Sequence, residues 1–129
     1  MFKKKIKLLI VDDEKDICKF VKLLFRREGF LTYSALSDTA AVRISKKVKP
    51  QIALLDIYLK RGKSGLDTLK QIHKILPSCR CIVVTWDKAK DKIKEAKALG
   101  AVSYLTKPLT IDQLFRVVNR VVKDIRRRG

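Results

Sequence analysis

Five polar residues, spread over nearly the whole chain, stand where apolar runs end: Asp12 and Asp13, Asp56, Thr85 and Lys107. Asp12 and Asp13 follow Lys5-Ile-Lys-Leu-Leu-Ile-Val11, Asp56 follows Ile52-Ala-Leu-Leu55, Thr85 closes Cys81-Ile-Val-Val84, and Lys107 follows the run from Ala101 to Thr106. A continuous apolar run that ends in a polar residue is how a strand buried on both faces surfaces at its carboxyl end. If such strands are parallel, their carboxyl ends share one edge of a sheet and the five residues meet there. Three carboxylates in one cleft repel one another and raise each other's pKa, which a divalent cation relieves. All-oxygen ligation favours magnesium, which binds through one or two carboxylates plus phosphate oxygens and keeps several waters. A hydroxyl and an ammonium on the far side, Thr85 and Lys107, then hold the remaining oxygens of a phosphoryl group. The set has the parts for phosphoryl transfer onto a carboxylate, an established nucleophilic role of aspartate.

Each piece has a plainer reading by itself. An Asp-Asp pair after a strand serves as a turn or helix cap, Thr85 as a strand residue, and Lys107-Pro108 as a helix-entry turn. What selects the joint reading is their recurrence at successive strand ends, which requires the elements between them to alternate. Asp16 to Arg27 carries Ile17, Phe20, Val21 and Leu24 at helical spacing, so these are the expected core face of a first helix, stopped by Gly29. Phe30 to Ala35 reads as a short edge strand, and Ser37 or Asp38 caps a second helix to about Val48. Leu66, Leu69, Ile72 and Leu76 mark a third helix ended by Pro77. Lys88 to Leu99 makes a fourth with a thin stripe of Ala89, Ile93 and Ala96, closed by Gly100. Thr110 caps a long fifth helix that carries Ile111, Leu114, Phe115, Val118, Val121 and Ile125 and ends in Arg126-Arg127-Arg128. Five strand-helix repeats predict an α/β, flavodoxin-like, doubly wound (βα)5 sandwich with a parallel sheet in the order 2-1-3-4-5.

The 129 residues fit a single domain, 1–129, able to bury a core without disulfides. No apolar run reaches the length of a membrane span, and the basic start at Met1-Phe-Lys-Lys-Lys5 leads into a short apolar stretch that meets Asp12, unlike a signal peptide. Cys18, Cys79 and Cys81 are an odd number without framework spacing, which predicts free thiols and a cytoplasmic location. With His73 they match no common zinc spacing. Lys plus Arg exceed Asp plus Glu by 31 to 13, a net charge of +18 that favours acidic partners or is simply a solvated lysine surface.

With Ile10-Val-Asp-Asp-Glu14, Leu54-Leu-Asp56, Val84-Thr85 and Tyr104-Leu-Thr-Lys-Pro108 each ending its strand, the chain resembles the receiver domain of two-component response regulators over essentially its full length. The resemblance implies a phosphorylation-dependent signalling switch that catalyses only its own phosphoryl transfer and dephosphorylation. By position, Asp56 resembles the phosphoacceptor, Asp13 a direct magnesium ligand, Asp12 a ligand acting largely through water, and the backbone carbonyl of Tyr58 a third contact. Thr85 resembles the hydroxyl that moves toward the phosphoryl oxygens, Lys107 the cation that pairs with them, and Tyr104 the aromatic that turns inward. Pro108 matches a frequent cis peptide that aims the lysine, and Asp87 stands with Trp86 as a modulator. The implied donor is a sensor histidine kinase or a histidine phosphotransfer protein. The implied output is an acidic partner or a second copy on the fourth helix, fifth strand and fifth helix, with nucleic acid contacted only through an output domain outside this chain.

Two stretches depart from the family. Lys60-Arg-Gly-Lys63 stands where many relatives carry a proline-containing turn, and Trp86 is far bulkier than the small residue usual after the threonine. Trp86 is expected either to pack in the core against the fourth helix or to restrict access to Asp56 and shape partner contacts. Two other functions compete. A phosphatase working through an aspartyl-phosphate needs a second carboxylate two residues on, where this chain has Tyr58. A basic nucleic-acid-binding module rests on net charge without a supporting motif.

Overall fold

The structure, a computed structural model, describes residues 4–56 and 65–128. The Lys60–Lys63 stretch and Tyr58 lie outside the described residues. Strand and helix alternate as β1 (Lys7–Val11), α1 (Lys15–Arg27), β2 (Leu31–Ala35), α2 (Asp38–Val48), β3 (Ile52–Leu55), α3 (Gly65–Ile75), β4 (Arg80–Thr85), α4 (Lys90–Ala98), β5 (Ala101–Thr106) and α5 (Ile111–Arg128). All pairings are parallel and the order is β2-β1-β3-β4-β5. The short second strand is an edge, as its mixed sequence predicts.

Period-two alternation divides the sheet between two cores. Leu9, Val11, Ala53, Leu55, Cys81 and Val83 face one layer with α2, α3 and α4, packing on Ala41, Leu69, Ile72 and Ala96. Leu8, Ile10, Ile52, Leu54 and Ile82 face the other, with Cys18 and Phe25 of α1 and Val117, Val118, Val121 and Val122 of α5. The first helix is rotated from its expected setting. Cys18 and Phe25 are buried in it, whereas Ile17 and Phe20, two of the four expected core residues, are exposed at 40% and 52%. The apolar arc of α1 is wider than the surface it covers. Ile17, Phe20, Val21 and Leu24 instead line a groove toward Leu114 of α5. In α4 only Ala96 is buried, and Ala89 sits exposed at the N-cap.

Gly29, at φ +94°, takes the backbone conformation that turns the chain out of α1. Gly100, at φ +106°, does so after α4, and a Cβ there would meet the His73 ring at 2.7 Å. His73 is therefore a packing residue against that turn.

Every helix begins with an aspartate in its first turn: Asp16, Asp38, Asp67, Asp91 and Asp112. Every helix also ends in cations, most densely in Arg126-Arg127-Arg128. Each arrangement complements the helix dipole. Because the helices all run against parallel strands, the aspartates gather at the carboxyl edge of the sheet and the cations at the amino edge.

The three cysteines are free and buried. Burial, then the nearby Asp12 carboxylate, pushes the Cys18 thiol up to about 11, and its Sγ donates to the Asp12 carbonyl at 3.3 Å. The Cys81 thiol is raised first by its hydrogen bond with Cys79 and then by burial. Thiolate is the reactive form, so the folded chain at neutral pH is expected to resist iodoacetamide and to take three labels in denaturant. Rapid labelling of the folded chain, read by intact mass, would contradict this burial.

Candidate functional site

The register of the sheet assembles the site. Val11 of β1 pairs with Leu55 of β3, so the next residues, Asp12 and Asp56, emerge side by side, fixed by the Asp56 N–H donating to the Val11 carbonyl at 3.0 Å. Asp12 is held on its other side by its own N–H on the Ala35 carbonyl of β2 at 3.1 Å. Carboxylate oxygens of Asp12, Asp13 and Asp56 lie within 4.8 Å of one another. Asp12 is buried and the other two half-buried. Burial raises the Asp12 pKa most, the Glu14 N–H donating to its Oδ1 at 2.9 Å pulls it down, Asp56 and Asp13 raise it further, and Lys107 lowers it. Like charges gathered behind a partly desolvated carboxylate are the donor set a hard divalent cation fits, with oxygens only and room left for water. His73, Cys79 and Cys81 form no such group among the described residues.

Lys107 reaches the site from β5. Its N–H donates to the Thr85 carbonyl at 2.7 Å, its bond to Pro108 is cis, and it lines one cavity of about 220 Å³ together with Asp12 and Asp56. Thr85 closes β4, 1% exposed, with its hydroxyl accepting from the Asp87 N–H at 3.2 Å. Tyr104 packs partly buried against the α2–α4 layer, and its hydroxyl donates to the Asp87 carbonyl at 2.8 Å. Burial and then the Asp87 and Asp91 charges raise the Tyr104 pKa. Trp86 is 66% exposed, so its indole is not core packing against α4.

The chain from residue 8 to residue 119 matches the response regulator receiver domain. It belongs to that family. The sporulation initiation phosphotransferase F of Bacillus subtilis is 34% identical over 114 residues, covering 88% of this chain and 91% of that one. Among solved structures, a CheY-like receiver domain protein of Methanospirillum hungatei superposes with a TM-score of 0.92 at 24% identity, over 98% of this receiver and 100% of its own chain. A two-component response regulator of Clostridium difficile does so at 0.88 and 26%, over 94% and 98%. The chain is thus a receiver, a phosphorylation-operated signalling switch of two-component systems.

Two features of this receiver go beyond the sequence reading, which named Asp87 only as a modulator. Asp87 is a junction: its N–H meets Thr85, its carbonyl meets Tyr104, and its carboxylate accepts the Ala89 N–H at 2.9 Å, at the start of α4. An aspartate three residues before the first residue of α4 was the available signal. The apolar groove beside Asp56, walled by Ile17, Phe20 and Ile111, had no such signal, because exposed and buried apolar residues of α1 look alike in a periodic pattern.

Proposed function

We propose that Asp56 is the phosphoacceptor of this receiver, and that Asp12 and Asp13 hold magnesium beside it. The observation that carries the reading is the three-carboxylate cluster sharing its cavity wall with Lys107. An Asp56 oxygen attacks the phosphorus of a phosphohistidine; the new O–P bond forms as the P–N bond breaks, and the imidazole leaves with its electron pair. Magnesium supplies positive charge against the charge that builds on the phosphoryl oxygens. The Lys107 ammonium pairs with one of these oxygens. The Thr85 hydroxyl, which accepts from Asp87, keeps its proton to donate to another. The new group adds about −1.5 to −2 charges near neutral pH, enough to draw Thr85 inward. Thr85 and Tyr104 both hold Asp87, so a shift of Thr85 is felt at Tyr104 and at the start of α4. Water later returns Asp56 to its free form, and the chain turns over no other substrate.

The donor is a sensor kinase or a histidine phosphotransfer protein, docking over the apolar groove that opens beside Asp56. The output is an acidic partner, or a second copy, on α4, β5 and α5, where Lys90, Lys94 and Lys97 are exposed. Lys90→Glu with Lys94→Glu is expected to abolish capture of an acidic partner without changing phosphorylation. The three reduced thiols suit a cytoplasmic location. The reading is tested by incubating the chain with acetyl phosphate and magnesium and weighing it. One phosphate per chain, mapped to Asp56 and absent with chelator, supports it; no adduct at any magnesium concentration overturns it.

A further inference from the structure

The surplus of positive charge is sorted rather than spread. Six of the ten arginines stand at the amino edge of the sheet, the pole opposite Asp56: Arg26 and Arg27 end α1, Arg80 begins β4, and Arg126, Arg127 and Arg128 end α5. Only Glu28 and Asp124 bring carboxylates there among the described residues of those helix ends. Asp124 is already held by Arg80 at 3.4 Å and Arg128 at 3.0 Å, and its pKa is lowered by these partners. Complementing a helix dipole takes one or two cations in a last turn. It accounts for Lys7, which donates to the Val48 carbonyl at the end of α2 at 3.0 Å, while Arg80 donates to the Ser78 carbonyl at 2.7 Å; it gives no reason for three consecutive arginines or for the lysines at 4 and 5 that lead into β1.

The surface is grooved, not flat. A groove of about 330 Å³ lies on one side of the α5 carboxyl end, where Arg80, Arg120, Lys123 and Arg127 outnumber the one carboxylate, Asp124, around Val102 and Val121. A smaller one of about 100 Å³ lies on the other side, lined by Arg126, Asn119 and the Glu28–Phe30 turn. We propose that this pole binds the phosphate backbone of nucleic acid, without reading its sequence. Guanidinium groups match phosphate oxygens in pairs, which a lysine point charge does not. Cations on both walls of a ridge suit a backbone that runs along it. A membrane surface fits less well, since among the described residues aromatic anchors are missing there: Phe25 and Phe30 are buried and the tryptophan, Trp86, is at the other pole. In the sequence, nucleic acid binding by this chain rested on net charge alone; the fold gathers that charge into a contact surface.

Because Asp56 lies at the opposite edge, nucleic acid and a phosphodonor can be held together, and this proposal stands apart from the identity of the phosphoacceptor. Its test is fluorescence anisotropy of a short labelled duplex DNA of mixed sequence, titrated with the full chain over a range of KCl concentrations. Binding is expected, with its logarithm falling linearly in log salt by about 0.9 per phosphate neutralised. Arg126→Gln with Arg127→Gln is expected to lower that slope by about 1 to 2 and affinity at low salt at least tenfold. Lys90→Gln with Lys94→Gln, which removes as much charge from α4, is expected to change affinity less than twofold. Circular dichroism confirms that each variant is folded. Equal losses in the two variants would reduce the effect to bulk charge and overturn the proposal. So would absence of binding at low salt, or stronger binding to phosphatidylserine vesicles than to DNA.

Discussion

Asp56→Asn is expected to gain no phosphate from acetyl phosphate and magnesium, and to be more stable than the native chain when a chelator removes divalent cations. The first effect is all or none, because an amide oxygen is not a nucleophile of carboxylate strength. The second follows from the cluster, in which Asp56 is one of three carboxylates whose oxygens lie within 4.8 Å. At that separation like charges repel by about 1 kcal/mol in water and by up to about 4 kcal/mol in a partly buried site. Asp56 is half-buried, so a gain of about 1 to 2 kcal/mol is expected. The pH dependence shares this origin. Asp12 has a raised pKa in the fold, through burial first and Asp56 and Asp13 after it. A carboxyl raised on folding binds its proton more tightly in the native state, so the cation-free chain gains stability as pH falls. The gain begins as pH drops through the native pKa of Asp12 and is complete below the unfolded value of about 3.9. Removing the Asp56 charge narrows that window. Urea midpoints against pH with chelator, for both proteins, check both statements. An Asp56→Asn chain that takes phosphate, or that is less stable without cations, would overturn the assignment.

The site was legible in the sequence because a parallel sheet converts chain order into spatial position. Once Val11 and Leu55 are adjacent, Asp12 and Asp56 must be neighbours, and apolar runs ending in polar residues locate every such end. Thr85 and Lys107 followed by the same rule, their strands joined by the Lys107 N–H on Thr85. Two-faced burial also made the strand boundaries plain, as in β3, all four residues of which are buried. Helix rotation was not legible. Along α1 the apolar residues run Ile17, Cys18, Phe20, Val21, Leu23, Leu24 and Phe25, so that more than one stripe fits a period of 3.6. What chooses between them is the partner: Phe25 finds Phe30 and Phe115, residues from β2's approach and from α5 that no local pattern connects to it. Nor was the hydrogen bonding around Asp87 legible, since it depends on where the Tyr104 hydroxyl ends rather than on sequence spacing. Charge polarity lay between these cases. The aspartates and arginines are visible in the sequence, but only the common direction of the helices puts them on opposite poles.

That difference between stripes carries the largest stability effect expected in the chain. Phe25 is 1% exposed and meets Phe30 at 5.3 Å and Phe115 at 5.1 Å between ring centroids, both edge to face. It is the residue at which α1, α5 and the entry to β2 are joined. Phe25→Ala removes the ring from this junction, and the valines of α5 cannot collapse into the gap without lifting α5 from the sheet. Truncations of this kind cost about 3 to 5 kcal/mol, a large share of the roughly 5 to 15 kcal/mol that holds a domain folded. Phe20, five residues earlier on the same helix, is 52% exposed. Phe20→Ala is therefore expected to cost less than about 1 kcal/mol and to keep its phosphate adduct with acetyl phosphate, because Phe20 lines the groove beside Asp56 and is not one of the carboxylates of the cluster. Urea unfolding with unchanged slope, comparing midpoints of the two variants, separates the alternatives. Equal losses would mean that α1 presents the face its simplest periodicity suggests, with Ile17 and Phe20 in the core and no apolar groove beside Asp56.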